Sequence, residues 1–168
     1  MRNAHGWRNA PTGSTAKGGY AHIQATRPQT LGYAMMDSPV GLAAWIVEKF
    51  RNWSDCGGDV ESVFDKDELL TNISIYWFTR TIASSFRLYR EIREHPPHFA
   101  PGDRIAVPTA IAHFPREIGM PPRHWVERVY TGIRRWTEMP RGGHFAAWEQ
   151  PHLLADDLRA FLAPLLAG

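Results

Sequence analysis

Arg141-Gly142-Gly143-His144-Phe145-Ala146-Ala147-Trp148-Glu149-Gln150-Pro151 stands between a β-like segment, Ile133 to Trp136, and an apolar-periodic segment from His152 to Leu166. Two glycines precede the histidine. Glycine lets a backbone take conformations that a Cβ forbids, so the chain can turn sharply from strand to helix here. A residue at such a turn is pushed out of the sheet, and a histidine there has room to act as a base. A lone histidine in a turn is ordinarily a surface residue. A second motif sets this one apart: Phe114-Pro115-Arg116-Glu117-Ile118 puts a carboxylate after another β-like segment.

The neighbouring segments define the fold class. Arg104 to Phe114 reads as a strand through Ile105, Val107 and Ile111, with Pro108 weakening its first half. Pro121 and Pro122 open a short helix through Trp125 and Val129, and Thr131 to Trp136 reads as a second strand. Leu154, Leu158, Phe161, Leu162 and Leu165 make the stripe of a last amphipathic helix. Strand–helix–strand–helix is the end of a doubly wound parallel α/β sheet. Two strands alone do not support such a sheet, so part of the fold is expected to be missing and an edge to want a neighbour.

Upstream the chain reads as helical. Ser38 caps a helix with Pro39 at its first position, and Leu42, Trp45, Ile46, Lys49, Phe50 and Trp53 share one stripe. Asp55 to Asp59 is a loop. Asp65 and Glu68 form a capping-box pattern for a helix carrying Leu69, Leu70, Ile73, Tyr76, Trp77, Ile82, Phe86 and Tyr89. That helix either continues to about Ile92 or breaks between Thr79 and Ser85, and His95-Pro96-Pro97-His98 ends it. Thr30 to Met36 is a candidate short helix, whereas Tyr20 to Pro28 shows no clear period. Met1 to Gly19 has the composition of an irregular tail. The expected division is a tail over 1–19, a helical region over 20–99 and part of an α/β core over 100–168.

With 43% hydrophobic and 21% charged residues in 168, the chain can bury a core and is not wholesale disordered. A net charge of +2 with dispersed Lys and Arg gives no case for nucleic acid. Seven tryptophans and eight phenylalanines point to large aromatic surfaces. Cys56 is the only cysteine, which excludes an internal disulfide and a cysteine metal cluster. No apolar run approaches the ~20 residues of a membrane span. Arg2 and Arg8 precede no apolar run, so no secretory leader is expected and a cytoplasmic setting is the default. His95 and His98 flank two prolines without a carboxylate-plus-histidine cluster, so neither a metal nor a cofactor is expected.

Glu117 and His144 follow successive strands, and in a parallel sheet catalytic groups gather at the carboxyl ends of the strands. A carboxylate on an imidazole fixes its tautomer and stabilises the imidazolium, which makes a base able to activate water. From Tyr20 to the C-terminus the chain resembles epoxide hydrolases of the microsomal and juvenile-hormone type, which are α/β-hydrolases. The resemblance is carried by GYAHIQATRPQTLGYAMMDSPVGLAAWIVEKF, DELLTNISIYWFTRTIASSFRLYRE, VPTAIAHFPREI and MPRGGHFAAWEQPHLLADDLRAFL. It implies that His144 is the water-activating base, Glu117 its acid partner, and Tyr20 and Tyr89 the lid tyrosines that bind the epoxide oxygen. It also implies a small apolar epoxide as substrate and a vicinal diol as product. His22 has no counterpart in the match and reads as structural. His113 stands where a small residue is expected, and its bulk threatens to crowd the acid turn.

The resemblance further calls for an oxyanion motif, His-Gly-x-Pro, and a nucleophile elbow, Gly-x-Asp-Trp-Gly, and neither occurs here. Gly57-Gly58-Asp59-Val60 imitates the elbow but has no apolar strand before it. The reading is therefore an incomplete α/β-hydrolase fold, a helical lid region followed by the last strand–helix–strand–helix, inactive alone and of marginal stability. It would pair with an N-terminal half or self-associate. The alternative is a non-catalytic remnant that binds apolar small molecules.

Overall fold

The computed structural model describes residues 18–167. The tail expected over 1–19 lies outside the described residues apart from its last two glycines. The described residues divide into two compact units, one running to Glu48 and resuming over Lys66–Pro101, the other made of Lys49–Asp65 and the described residues from Gly102.

The first unit is helical: α1 (Gly19–Thr26), α2 (Pro28–Asp37), the larger part of α3 (Pro39–Trp53), α4 (Lys66–Thr79) and α5 (Ile82–Glu94). The segment without an apolar period is thus a helix after all. Tertiary contact overrides its weak pattern: α1 packs on α5, with the Tyr20 ring edge-on to Tyr89 and Gln24 only 4% exposed. Pro28 sets its end. The residue before a proline is driven out of the helical region, and Arg27 sits at φ −138°, ψ 54°, after which Pro28 opens α2. Ser38 caps α3 as expected, its Oγ accepting from the Gly41 N–H at 3.0 Å. Leu42 and Ile46 on α3 are buried, and Trp45 meets Phe86 edge-on. The helix expected from Asp65 onward does break. Arg80 takes the left-handed value φ 57°, and the chain restarts as α5 at Ile82. A left-handed residue just past the last turn is a common way to end a helix.

The second unit holds the end of α3, a loop with a 3-10 turn at Val60–Ser62, β1 (Thr109–His113), α6 (Arg123–Val126), β2 (Ile133–Glu138), α7 (Ala146–Glu149) and α8 (Pro151–Leu166). The strands pair in parallel, from Thr109 opposite Ile133 to His113 opposite Glu138, with an irregularity after Thr109. β1 is shorter than the sequence suggests. Ile105 makes only an isolated bridge to Tyr130, and the ladder begins after Pro108, which has no N–H to give it. β2 starts two residues later than expected and runs to Glu138. Asp157, 6% exposed, ties α8 to β2: its Oδ1 accepts from Arg135 Nε at 2.5 Å and Thr137 Oγ1 at 2.6 Å. Beneath the turns lies an aromatic cluster in which Phe50 stacks on Phe145 at 4.1 Å and meets Phe64 and Trp148 edge-on. Among the described residues no helix is long and apolar enough to cross a membrane.

Candidate active site

Because β1 and β2 are parallel, the turns that follow them leave the same edge of the ladder. They are laced together there. The Arg116 N–H donates to the Gly142 carbonyl at 3.0 Å, and Arg116 and Gly143 form an isolated parallel bridge. Glu117 and His144, 27 residues apart in sequence, consequently meet with Oε1 2.7 Å from Nδ1. An ionised carboxylate only accepts hydrogen bonds, so Nδ1 donates and Nε2 is left as the basic nitrogen. The Ile118 N–H donates to the same Oε1 at 2.7 Å and fixes the carboxylate. The two side chains are 36% and 27% exposed, shielded yet within reach of water.

The histidine turn is held at four consecutive N–H groups. Gly142 donates to Asp55 Oδ2 at 3.0 Å, Gly143 to Glu149 Oε2 at 2.9 Å, His144 to the Trp53 carbonyl at 2.9 Å, and Phe145 to Glu149 Oε1 at 2.9 Å. The two glycines serve different needs. Gly142 adopts φ +106°, and a Cβ there would lie 2.8 Å from the Phe114 ring. Gly143 approaches backbone, and its Cβ would lie 2.5 Å from the Trp53 carbonyl oxygen and 3.0 Å from Ser54 Cα. Trp53 and Phe145 both stand edge-on to the imidazole at 5.2 Å. All four donors are thus engaged within the protein.

The helical unit holds a pair of phenols. Tyr20 and Tyr89 are half-buried, with ring centroids 5.7 Å apart at 81°. Burial first, then the charge of Tyr89 and the hydrogen bond between the two phenols, push the Tyr20 hydroxyl up to about 12. It therefore keeps its proton, and remains a donor, throughout the neutral range.

The remaining candidates are exposed or engaged elsewhere. His22 is exposed. His113 does not end in the acid turn: its Nδ1 lies 2.6 Å from Oε2 of Glu138, its register partner across the ladder. The hydrogen bond from Trp136, then that from His113, hold the Glu138 carboxyl below its ordinary range. Asp59 caps the 3-10 turn by accepting from the Glu61 N–H at 3.2 Å. Glu91, Glu94 and His95 converge on the exposed end of α5, but Glu94 pairs with Arg90 and His95 with Glu91, an ordinary charged helix face. Sequence reasoning missed Trp53, Asp55 and Glu149. No local signal marks any of the three: Glu149 stands four residues after the N-cap of α7, one beyond the capping-box position.

An acid and then a histidine, each after a successive parallel strand, is also the order in which α/β-hydrolases carry the last two members of their catalytic set. No protein-family model matches the chain. It is 44% identical to epoxide hydrolase 1 of Sus scrofa, the match covering 88% of this chain and 34% of that protein. It is 45% identical to juvenile hormone epoxide hydrolase 2 of Ctenocephalides felis, over 83% of this chain and 32% of that protein. The structure superposes on juvenile hormone epoxide hydrolase of Bombyx mori with a TM-score of 0.80 at 34% identity, covering 88% of this chain and 40% of that one. The fold is thus a partial α/β-hydrolase. The chain belongs to the epoxide hydrolases, corresponds to their C-terminal portion, and spans about a third of the length of the curated relatives it matches.

Proposed function

We propose that the chain contributes the water-activating pair and the oxygen-binding phenols of an epoxide hydrolase, and that the nucleophile must come from the N-terminal portion found in longer relatives. The supporting observation is the 2.7 Å bond between His144 Nδ1 and Glu117, which leaves Nε2 as a base. In the proposed reaction an aspartate of that other portion opens the epoxide and forms an ester. Tyr20 and Tyr89 donate to the oxygen as it gains alkoxide charge, and one of them supplies its proton. Donors aimed at developing charge are usually the largest catalytic contribution. Nε2 of His144 then takes a proton from water, the hydroxide attacks the ester carbonyl, and Glu117 stabilises the imidazolium. The ester C–O bond breaks, the imidazolium gives its proton to the departing alkoxide, and the proton left on the freed aspartic acid replaces the one the phenol gave up. The net change is epoxide plus water to vicinal diol. The aromatic residues suit an apolar epoxide.

The pure chain is expected to form no diol. Mixing it with the separately expressed N-terminal portion of a relative, carrying His-Gly-x-Pro and Gly-x-Asp-Trp-Gly, is expected to restore diol formation from an apolar epoxide. Turnover by the chain alone would overturn this division of labour. So would a mixture that co-elutes as a stable complex and stays inactive.

A further inference from the structure

The proposed reaction uses His144 and Glu117 but not the carboxylate buried behind them. Glu149 is 8% exposed and accepts three backbone N–H groups: Phe145 on Oε1 at 2.9 Å, Gly143 on Oε2 at 2.9 Å and Asp55 on Oε2 at 2.7 Å. The bond to Phe145 alone would be a capping interaction, since Phe145 is the N-cap of α7. The other two are not explained by capping. Gly143 lies on the far side of His144, and Asp55 is 94 residues from Glu149 in the chain. One carboxylate thus grips the peptide groups on both sides of His144 and fastens them to the segment whose Trp53 carbonyl binds the His144 N–H. Asp55, held by Glu149 at its N–H, in turn holds Gly142 through its side chain. Fixing the backbone before and after a residue fixes where its Cα–Cβ bond points. Here that bond aims Nδ1 at Glu117. A carboxylate accepting several N–H bonds is a stiff support, because charge-assisted bonds are roughly twice as strong as neutral ones.

We propose that Glu149 is the positioning residue of His144, acting through the backbone at Gly143 and Phe145 to keep Nδ1 on Glu117, without touching substrate. The proposal rests on the reading of His144 as the water-activating base. Its test needs no epoxide, so the two can fail separately.

The test is nuclear magnetic resonance of the 15N-histidine-labelled full chain. The bond to Glu117 gives His144 a protected Nδ1–H proton and a single tautomer with Nε2 bare. Glu117→Ala, which removes the acceptor, identifies that signature by abolishing it. Glu149→Ala is expected to lose the protected proton and give mixed tautomers while circular dichroism still reports a folded chain. Asp157→Ala, which removes another buried carboxylate of the same unit, is expected to lower the melting temperature and keep the signature. Glu149→Gln retains the side-chain volume and one acceptor oxygen, and is expected to weaken the signature without abolishing it.

An unchanged signature in folded Glu149→Ala overturns the proposal. Loss of the signature in Asp157→Ala also overturns it, because the bond would then merely follow overall stability. Should Glu149→Ala not fold, Glu149→Gln decides: a weakened signature supports the proposal, and a wild-type signature or a second failure to fold counts against it, making Glu149 a residue of stability rather than of aim.

Discussion

The tyrosine pair and the histidine–glutamate pair are built in opposite ways. Tyr20 and Tyr89 sit on two helices and are placed by ring packing and by each other. His144 is placed by a lattice of polar bonds in which four consecutive N–H groups and two glycines leave the turn almost no freedom. The proposed roles account for the difference. A phenol oxygen lies on its Cβ–Cγ axis, so the ring can turn about that bond and the hydroxyl can still donate. A base that must present one nitrogen to water while the other stays on a carboxylate has no such latitude. Soft packing suffices for the first task, and the second needs the backbone itself to be fixed.

The contrast predicts that hydroxyl loss on the tyrosine side is costly in rate and cheap in stability. Tyr89→Phe keeps the ring, so its melting temperature should stay within a few degrees of wild type. In the complemented mixture the rate of diol formation should fall by about 10²-fold, the usual effect of losing one donor to a developing oxyanion. A rate within twofold of wild type would remove Tyr89 from the reaction. On the histidine side the order reverses, with stability taking the loss. Gly143→Ala would drive a Cβ into the Trp53 carbonyl and Ser54 Cα, and strain of that kind costs about 1–3 kcal/mol. Gly57→Ala isolates the other cause: φ is +60° there and no atom lies within 4 Å of the added Cβ, so only a backbone term of about 1 kcal/mol acts. If thermal melts showed Gly57→Ala to be the worse of the two, close approach at Gly143 would not be what the turn requires.

The smallest expected effect is a pH dependence confined to the tyrosine side. The Tyr20 phenol titrates at about 12 when folded and near 10 when unfolded. Between those values the unfolded chain has lost the proton and the folded one has kept it. The stability Tyr20 contributes is therefore complete below pH ~10 and is lost as pH rises toward 12. Tyr20→Phe should melt with a flatter alkaline limb than wild type. Identical limbs would show that Tyr20 is no more shielded than an exposed phenol.

How much of this the sequence reveals follows from how local each signal is. The turns of Glu117 and His144 are legible because glycine, proline and a preceding β-like run lie beside them. Ser38 is legible because a cap and its helix are adjacent. The break at Arg80 is visible only as a choice, since Thr79 to Ser85 can either continue a helix or end one. The supports of the site are illegible. Asp55 meets Gly142 across 87 residues and Glu149 across 94, and nothing near any of them announces the partner. α1 fails for a related reason: it is helical because α5 lies against it, not because of its own period. β1 is overextended in the sequence reading because Ile105 and Val107 look like strand, while Pro108 between them and the ladder withholds a donor.

The most direct test of the central claim is intact-mass spectrometry of the chain carrying His144→Gln, mixed with the N-terminal portion of a relative and an apolar epoxide. Ring opening does not need the base, whereas ester hydrolysis does. The account predicts that the N-terminal portion gains the mass of one epoxide and keeps it, while the wild-type mixture accumulates no adduct and releases diol. Diol formation at the wild-type rate with His144→Gln, and no adduct, would contradict it.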